Sequence, residues 1–200
     1  EDTGGSIFYA QHSTSGIQLK LNLDNTNNVA LFGTVSSDDL QFVTANNNAL
    51  RIDSSGRLLV GSTSTQTIGG NSHPLVQLNV NSNQQVLTLA RFEDNSGGPT
   101  LVLGKSRASS AGNYTSVQDG DSLGSIQFSG ADGTDLISVG ASIEAKVNGT
   151  PGSNDMPGIL TFSTTADGAS SPTSAMTIDS SGDVLIGTNS SVNVASSSPA

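Results

Sequence analysis

The chain has 200 residues, a length that suits one or two domains of ordinary size. Its formal net charge of −10 argues against partners that need a basic surface, namely nucleic acid and anionic membranes. The chain has no cysteine and no run of about 18 apolar residues, which excludes disulfide bonds and a transmembrane helix. Aromatic residues are only 4% of the chain, so any core must consist of small aliphatic side chains.

The first 62 residues are predicted to form a β-meander unit of about six short strands. Apolar and polar residues alternate over residues 17–23, which is typical of a half-buried strand. A turn-rich break follows, and apolar positions resume at Val29 and Leu31 and again at Leu40 and Phe42. The unit ends in a short hairpin motif.

This motif occurs twice in the chain. Residues 49–61 read Ala-Leu-Arg-Ile-Asp-Ser-Ser-Gly-Arg-Leu-Leu-Val-Gly, and residues 175–187 read Ala-Met-Thr-Ile-Asp-Ser-Ser-Gly-Asp-Val-Leu-Ile-Gly. The offset is 126 residues at every position, without a gap. Chance recurrence of a common turn would not extend through both flanking strands, so we interpret the motif as an internal repeat.

Each copy predicts a β-hairpin with one apolar face. Asp53 and Asp179 open the turns, because an aspartate carboxylate accepts a hydrogen bond from a backbone N–H two residues later. Gly56 and Gly182 are expected in the left-handed conformation, which a Cβ would penalise. This pattern is typical of a type I turn with a G1 bulge. An isolated hairpin is only marginally stable in water, so each copy needs further partners.

The rest of the chain is predicted to form a linker, a larger β unit and a tail. Residues 63–74 are rich in Ser, Thr, Gly and Asn and are interpreted as the linker, and residues 189–200 as a low-complexity tail. The larger β unit spans residues 75–188 and ends in the second hairpin. Strands are predicted at 76–80, 85–92, 100–103, 126–128, 137–147 and 160–162, and exposed loops at 106–121, 148–157 and 164–174.

No segment has a helical period, so the predicted fold class is all-β, built from short antiparallel strands and hairpins. The strands present apolar faces of small aliphatic residues, and a sheet must bury such a face against another layer. Three copies of a thin sheet around a common axis satisfy this need. We therefore expect a symmetric homotrimer, elongated along its axis, with a homodimeric sandwich as the alternative.

The most concentrated acidic group consists of Asp119, Asp121, Asp132 and Asp135. A calcium site between loops is one interpretation, since calcium takes about six to eight oxygen ligands, carboxylates among them. Solvent-exposed turns are the favoured interpretation, and no cofactor is predicted. The glycine pairs lack the lysine of a phosphate-binding loop.

The repeated hairpin resembles a repeat in tail fibres and receptor-binding appendages of tailed bacteriophages, especially marine and cyanobacterial phages. Its pattern is Met/Leu-x-Ile-Asp-Ser-Ser-Gly-x-Val/Leu-x-Ile/Val-Gly. Similar segments occur at residues 90–104, 119–128, 130–135, 149–158 and 162–168, so that the resemblance covers about residues 45–188. It implies an elongated, intertwined homotrimeric fibre segment of the virion that takes part in host-cell adsorption. In such proteins a self-cleaving chaperone domain often follows the repeats.

The partners that this resemblance implies are further copies of the chain, other tail or fibre proteins, and a glycan or protein of the host surface. Tyr114, in the predicted loop 106–121, is the candidate residue facing that receptor. A subunit of another extracellular filament or adhesin would share the composition. A polysaccharide-cleaving tailspike is a further alternative, with Glu93, Asp94 and Glu144 as candidate carboxylates. Because the chain offers few aromatic platforms for sugar, no enzymatic activity is predicted.

Overall fold

The structure is a computed structural model that describes residues 6–11, 18–24, 29–34, 37–69, 74–80, 83 and 86–187. Within these ranges the chain forms twelve β-strands and no helix, which confirms the predicted all-β class. None of the described residues therefore belongs to a helix that could cross a membrane. The predicted tail, residues 189–200, lies outside the described residues.

Contacts between Cα atoms divide the chain into two units. The first contains Glu1–Gln66 and His73–Leu89, and the second contains Thr67–Ser72 and Ala90–Ala200. We call them unit 1 and unit 2. The sequence predicts that the larger β unit starts at residue 75. Contacts between Cα atoms instead group residues 75–89 with unit 1.

Unit 1 contains two sheets. Three antiparallel strands form the first sheet in the order β1-β2-β3, and four strands form the second in the order β4-β5-β6-β7. The Phe32 and Phe42 rings, one from each sheet, lie with their centroids 6.3 Å apart. The strands are β1 Ser6–Gln11, β2 Gln18–Asp24, β3 Val29–Thr34, β4 Leu40–Thr44, β5 Asn47–Ile52, β6 Leu58–Val60 and β7 Val76–Leu78.

The first hairpin, β5-β6, gains a third neighbour in β7. This strand runs parallel to β6, with Leu58 opposite Val76 and Val60 opposite Leu78. The Gln77 side chain accepts a hydrogen bond from the Gln66 N–H (3.0 Å) and donates one to the Gln66 carbonyl (3.2 Å). These contacts tie part of the predicted linker to β7. Parallel pairing joins strands that are distant in sequence, so alternation alone does not reveal it.

Unit 2 contains a five-stranded antiparallel sheet in the order β12-β11-β10-β9-β8. Its described buried apolar side chains are Val117, Val147 and Leu185, so the core is thin. The strands are β8 Ser122–Gly130, β9 Ser138–Val147, β10 Gly158–Thr164, β11 Thr173–Ile178 and β12 Val184–Ile186. The long alternating segment predicted at 137–147 is thus β9, and the second hairpin is β11-β12.

Two of the predicted strands, at residues 85–92 and 100–103, are wrong. No strand occurs between residues 86 and 121, all of which the structure describes. Both segments are rich in apolar, strand-forming residues, but a strand also requires a neighbouring backbone to pair with. No strand pairing forms along the described residues of these two segments.

We expect Leu59→Ala to lower the free energy of unfolding of unit 1 by about 2–5 kcal/mol, because the side chain is 1% exposed and its removal leaves a cavity. Thermal and denaturant unfolding of the purified chain measure the change. Val43→Ala, at an exposed position of β4, is the control and should change stability by well under about 1 kcal/mol. Equal losses in the two variants would contradict the assignment of Leu59 to the core.

Candidate assembly surface and binding loop

The first repeated turn is held by its aspartate. The Asp53 Oδ1 atom accepts hydrogen bonds from the N–H groups of Ser55 (2.9 Å) and Arg57 (3.0 Å). The Gly56 N–H donates to the Asp53 carbonyl at 2.8 Å, and Gly56 has a φ of 77°. The hydrogen bond from the Arg57 N–H is the largest cause that lowers the pKa of Asp53 below its ordinary value.

The second turn repeats these bonds. The Asp179 Oδ1 atom accepts from the N–H groups of Ser181 (2.9 Å) and Asp183 (3.0 Å). The Gly182 N–H donates to the Asp179 carbonyl at 3.0 Å, and Gly182 has a φ of 86°. The two hairpins therefore share their local structure as well as their sequence.

The structural repeat is larger than the hairpin. In each copy the hairpin pairs with an earlier strand that contains Leu-x-Phe, and a β-bulge directly follows the Phe. Leu40 pairs with Ile52 in the first copy, as Leu160 pairs with Ile178 in the second. The repeated element is therefore three strands, β4-β5-β6 and β10-β11-β12. We call it the three-stranded repeat.

Residues 90–103 of unit 2 carry large apolar side chains into solvent. Phe92 is 95% exposed and Val102 is 76% exposed, and Leu101 and Leu103 are also exposed. We call residues 90–103 the apolar segment. The sheet of the same unit leaves further apolar side chains exposed, at Ile126, Phe128, Val184 and Ile186, and Ile137 directly before β9 is exposed as well. Unit 2 thus has apolar surface that its own core does not use.

Residues 104–121 form a loop that presents Tyr114, and we call them the Tyr114 loop. The Tyr114 side chain is 92% exposed. Tyrosine is a large amphipathic residue, and such residues are common in binding surfaces. The stretch from Gly104 to Tyr114 curves around an open cavity of about 490 Å³. Ser106 holds this curve, since its hydroxyl donates to the carbonyls of Asn113 (3.2 Å) and Thr115 (3.3 Å).

The base of the Tyr114 loop is fixed by Asp121. Its carboxylate accepts two hydrogen bonds of 2.6 Å from the Arg107 guanidinium and one of 2.9 Å from the Gln118 N–H. The Arg107 bonds are the largest cause that holds the pKa of Asp121 well below its usual range. The Asp121 carbonyl also accepts from the N–H of Val147, the buried end of β9 (2.8 Å). The loop therefore has an anchored base and an exposed aromatic tip.

The carboxylate of each other acidic candidate accepts a hydrogen bond from a backbone N–H group. Asp119 accepts from the Gly149 N–H at 2.8 Å, and Asp135 accepts from the Ile137 N–H at 3.1 Å. Asp132 accepts from the Thr134 N–H at 2.8 Å, which is the largest cause that lowers its pKa. Among the described residues no three His, Cys, Asp or Glu side chains are grouped so that they could hold a metal ion.

Two of the three carboxylates considered for polysaccharide cleavage lie beside cations. Glu93 forms an ion pair with Arg91, and Glu144 lies 3.1 Å from the Lys146 ammonium. Glu144 stands on β9, and its backbone partner across the sheet is Thr161. Asp94 occupies the exposed bend that follows Glu93.

Comparison with solved structures identifies a similar fold in bacteriophage tail fibres. The carboxy-terminal domain of the bacteriophage T5 L-shaped tail fibre matches with a TM-score of 0.56 at 14% identity, over 97% of this chain and 83% of that chain. The chain therefore has a tail-fibre-like fold. The T5 domain with its intramolecular chaperone domain matches with a TM-score of 0.54 at 15% identity, over 96% of this chain and 56% of that chain. No protein-family model and no curated protein matches the sequence.

The anchored base predicts an acid-sensitive stability. A carboxyl group whose pKa is lowered by folding stabilises the folded state above its unfolded pKa of about 3.9, and this contribution is lost as the pH falls towards the lower folded pKa. We therefore expect the melting temperature to fall from pH 5 to pH 2, and to fall less steeply in Asp121→Asn. Circular dichroism melts at each pH measure the slope. An unchanged slope in Asp121→Asn would contradict the anchor.

Proposed function

We propose that the chain is a segment of a homotrimeric bacteriophage tail fibre that acts in host-cell adsorption. The observation that carries the proposal is the exposed apolar segment beside a thin core. A monomer would leave Phe92, Leu101 and Val102 in water, whereas neighbouring copies would bury them. The tail-fibre-like fold supports the same role.

The exposed apolar side chains of unit 2 agree with an assembled state. Obligate interfaces commonly bury about 2,000–5,000 Å² and are rich in apolar residues. Phe92, Leu101 and Val102 would supply the driving force for such an interface.

A threefold arrangement suits the side chains of unit 2. Strand β9 presents Val139, Ala141, Ile143 and Ala145 at alternate positions, and all four are only half-buried. Small side chains allow sheets to approach a common axis, where little space is available. Three copies would give each sheet the second layer that a sheet requires.

The Tyr114 loop is the proposed contact with the host surface, which would offer a glycan or a protein. An exposed tyrosine gives a large contact area at low cost in side-chain entropy. The Arg107 and Asp121 bonds fix the loop base, so that less order has to be gained on binding. Other tail or fibre proteins would hold the segment in the virion, and the proposed role is not enzymatic.

Sedimentation velocity tests the assembly. We expect the purified chain to sediment as a trimer at micromolar concentration, and the double variant Phe92→Ser, Leu101→Ser to dissociate, because it removes exposed apolar surface without changing the core. Tyr114→Ser is the matched control and should remain trimeric. A folded wild-type monomer would overturn the proposed trimer, and a dimer would favour the sandwich alternative.

Binding of fluorescently labelled trimer to a panel of bacterial strains tests adsorption. On a strain that binds the wild type, we expect Tyr114→Ala to weaken binding at least about tenfold, or ~1.4 kcal/mol, while the trimer persists. Met156→Ala, at an exposed position outside the Tyr114 loop, should bind as the wild type does. Equal binding by Tyr114→Ala and the wild type would sink the role of the Tyr114 loop.

The same trimer, incubated with capsular polysaccharide and lipopolysaccharide from that strain, tests for catalysis. We expect no release of oligosaccharide, because the proposed role is not enzymatic. Glu93 and Glu144 each form an ion pair with a neighbouring cation. Release by the wild type that disappears in Glu93→Gln, Asp94→Asn or Glu144→Gln would replace the proposal with a polysaccharide-cleaving tailspike.

A further inference from the structure

The two copies of the three-stranded repeat differ at one edge. In the first copy, β7 covers β6, and Leu58 and Val60 are half-buried. In the second copy, β12 lies at the edge of its sheet. The equivalent side chains, Val184 and Ile186, are 56% and 75% exposed. The compared positions are aliphatic in both copies and the turn bonds are alike, so the difference follows from the absence of a neighbouring strand in the described part of unit 2.

The backbone of β12 is oriented to accept such a neighbour. In the first copy, the Leu58 N–H donates to the Leu75 carbonyl (2.8 Å), and the Asn79 N–H donates to the Val60 carbonyl (2.9 Å). The bonds from β12 to β11 include Gly187 N–H to the Ala175 carbonyl, as Gly61 N–H donates to Ala49 in the first hairpin. Successive residues of a strand direct their backbone groups to opposite sides. Val184 and Ile186 therefore direct theirs away from β11.

A glycine after each hairpin marks the same place. At Gly61, with a φ of 74°, an added Cβ would overlap the carbonyl of Asn79, which follows β7. At the equivalent Gly187, with a φ of 68°, an added Cβ would meet nothing within 4 Å. No described residue therefore occupies, in the second copy, the space that the end of β7 occupies in the first.

We propose that the edge of β12 is a docking site for a parallel strand with the chemistry of β7. This occupant has an apolar residue, a central amide residue and a second apolar residue at consecutive positions, like Val76, Gln77 and Leu78. Its apolar residues lie opposite Val184 and Ile186, and its amide residue lies opposite Leu185, as the register of β6 and β7 dictates. The site is distinct from the apolar segment and from the Tyr114 loop.

The test extends the full chain by the nine residues Leu-Val-Gln-Leu-Asn-Val-Asn-Ser-Asn, which are residues 75–83 of this chain. Residues 188–200 separate the second hairpin from this extension. In the first copy, a segment of the same length, residues 62–74, separates the hairpin from Leu75. We expect hydrogen exchange of the Val184 amide to slow at least about tenfold, since this N–H then donates to the added strand as Leu58 does. Mass spectrometry with residue-level fragmentation measures the rate.

Two matched pairs of variants make the test specific. A control extension carries serine in place of the valine and the leucine that are copied from Val76 and Leu78, while the native β7 is unchanged. This extension should give no protection of the Val184 amide. In the extended chain, Gly187→Ala should abolish the protection, because its Cβ would overlap the docked strand, as it would at Gly61. Gly182→Ala has the same left-handed strain without a neighbour and should keep the protection.

Rapid exchange of Val184 in the extended chain would overturn the proposal. Protection of this amide in the unextended trimer would also overturn it, because another copy would then occupy the edge. Sedimentation of the same samples separates this question from the proposed function. A monomer with a protected Val184 amide supports the docking site without the trimer, and an unextended trimer with an exposed amide that becomes protected on extension supports both.

Discussion

A β-strand is stabilised by the strands that pair with its edges and by the layer that packs against its face. The described part of this chain supplies few of either. Val60 is half-buried where β6 has a strand on each side, whereas the equivalent Ile186 is exposed where β12 has a described strand on only one side. With few aromatic residues, the sheets have few bulky side chains to fill a core within one chain. Stability therefore depends on whether each edge and each face meets a partner, more than on the packing density of any one sheet.

The four residues Asp-Ser-Ser-Gly are sufficient to specify the conformation of the repeated turn. The Asp-Ser-Ser-Gly turn needs only a carboxylate that reaches two nearby N–H groups and a glycine that accepts a positive φ. Both requirements lie within the turn, so the sequence is sufficient to predict them. Strand β9 is predictable for a related reason, because its period-2 alternation continues without a break for about ten residues.

The features that sequence reasoning missed all depend on distant partners. The Leu-x-Phe strands are offset by 120 residues while the hairpins are offset by 126, so a search without gaps finds only the hairpin. The Arg107 and Asp121 ion pair spans 14 residues of irregular loop, and no local pattern predicts it. The same limit explains residues 100–103, where strand-forming apolar residues are present but no described strand pairs with them.

The repeat separates what a hairpin determines from what its surroundings determine. The turn bonds agree within about 0.2 Å between the copies, so the hairpin folds alike in two sheets of different strand number. Its edge does not fold alike, because β7 covers one copy and no described strand covers the other. A module with a fixed turn and an open edge cannot reach full burial by itself, since unpaired backbone groups invite pairing. Among the described residues, the second copy of the module therefore keeps an edge whose backbone groups are available for pairing with another strand.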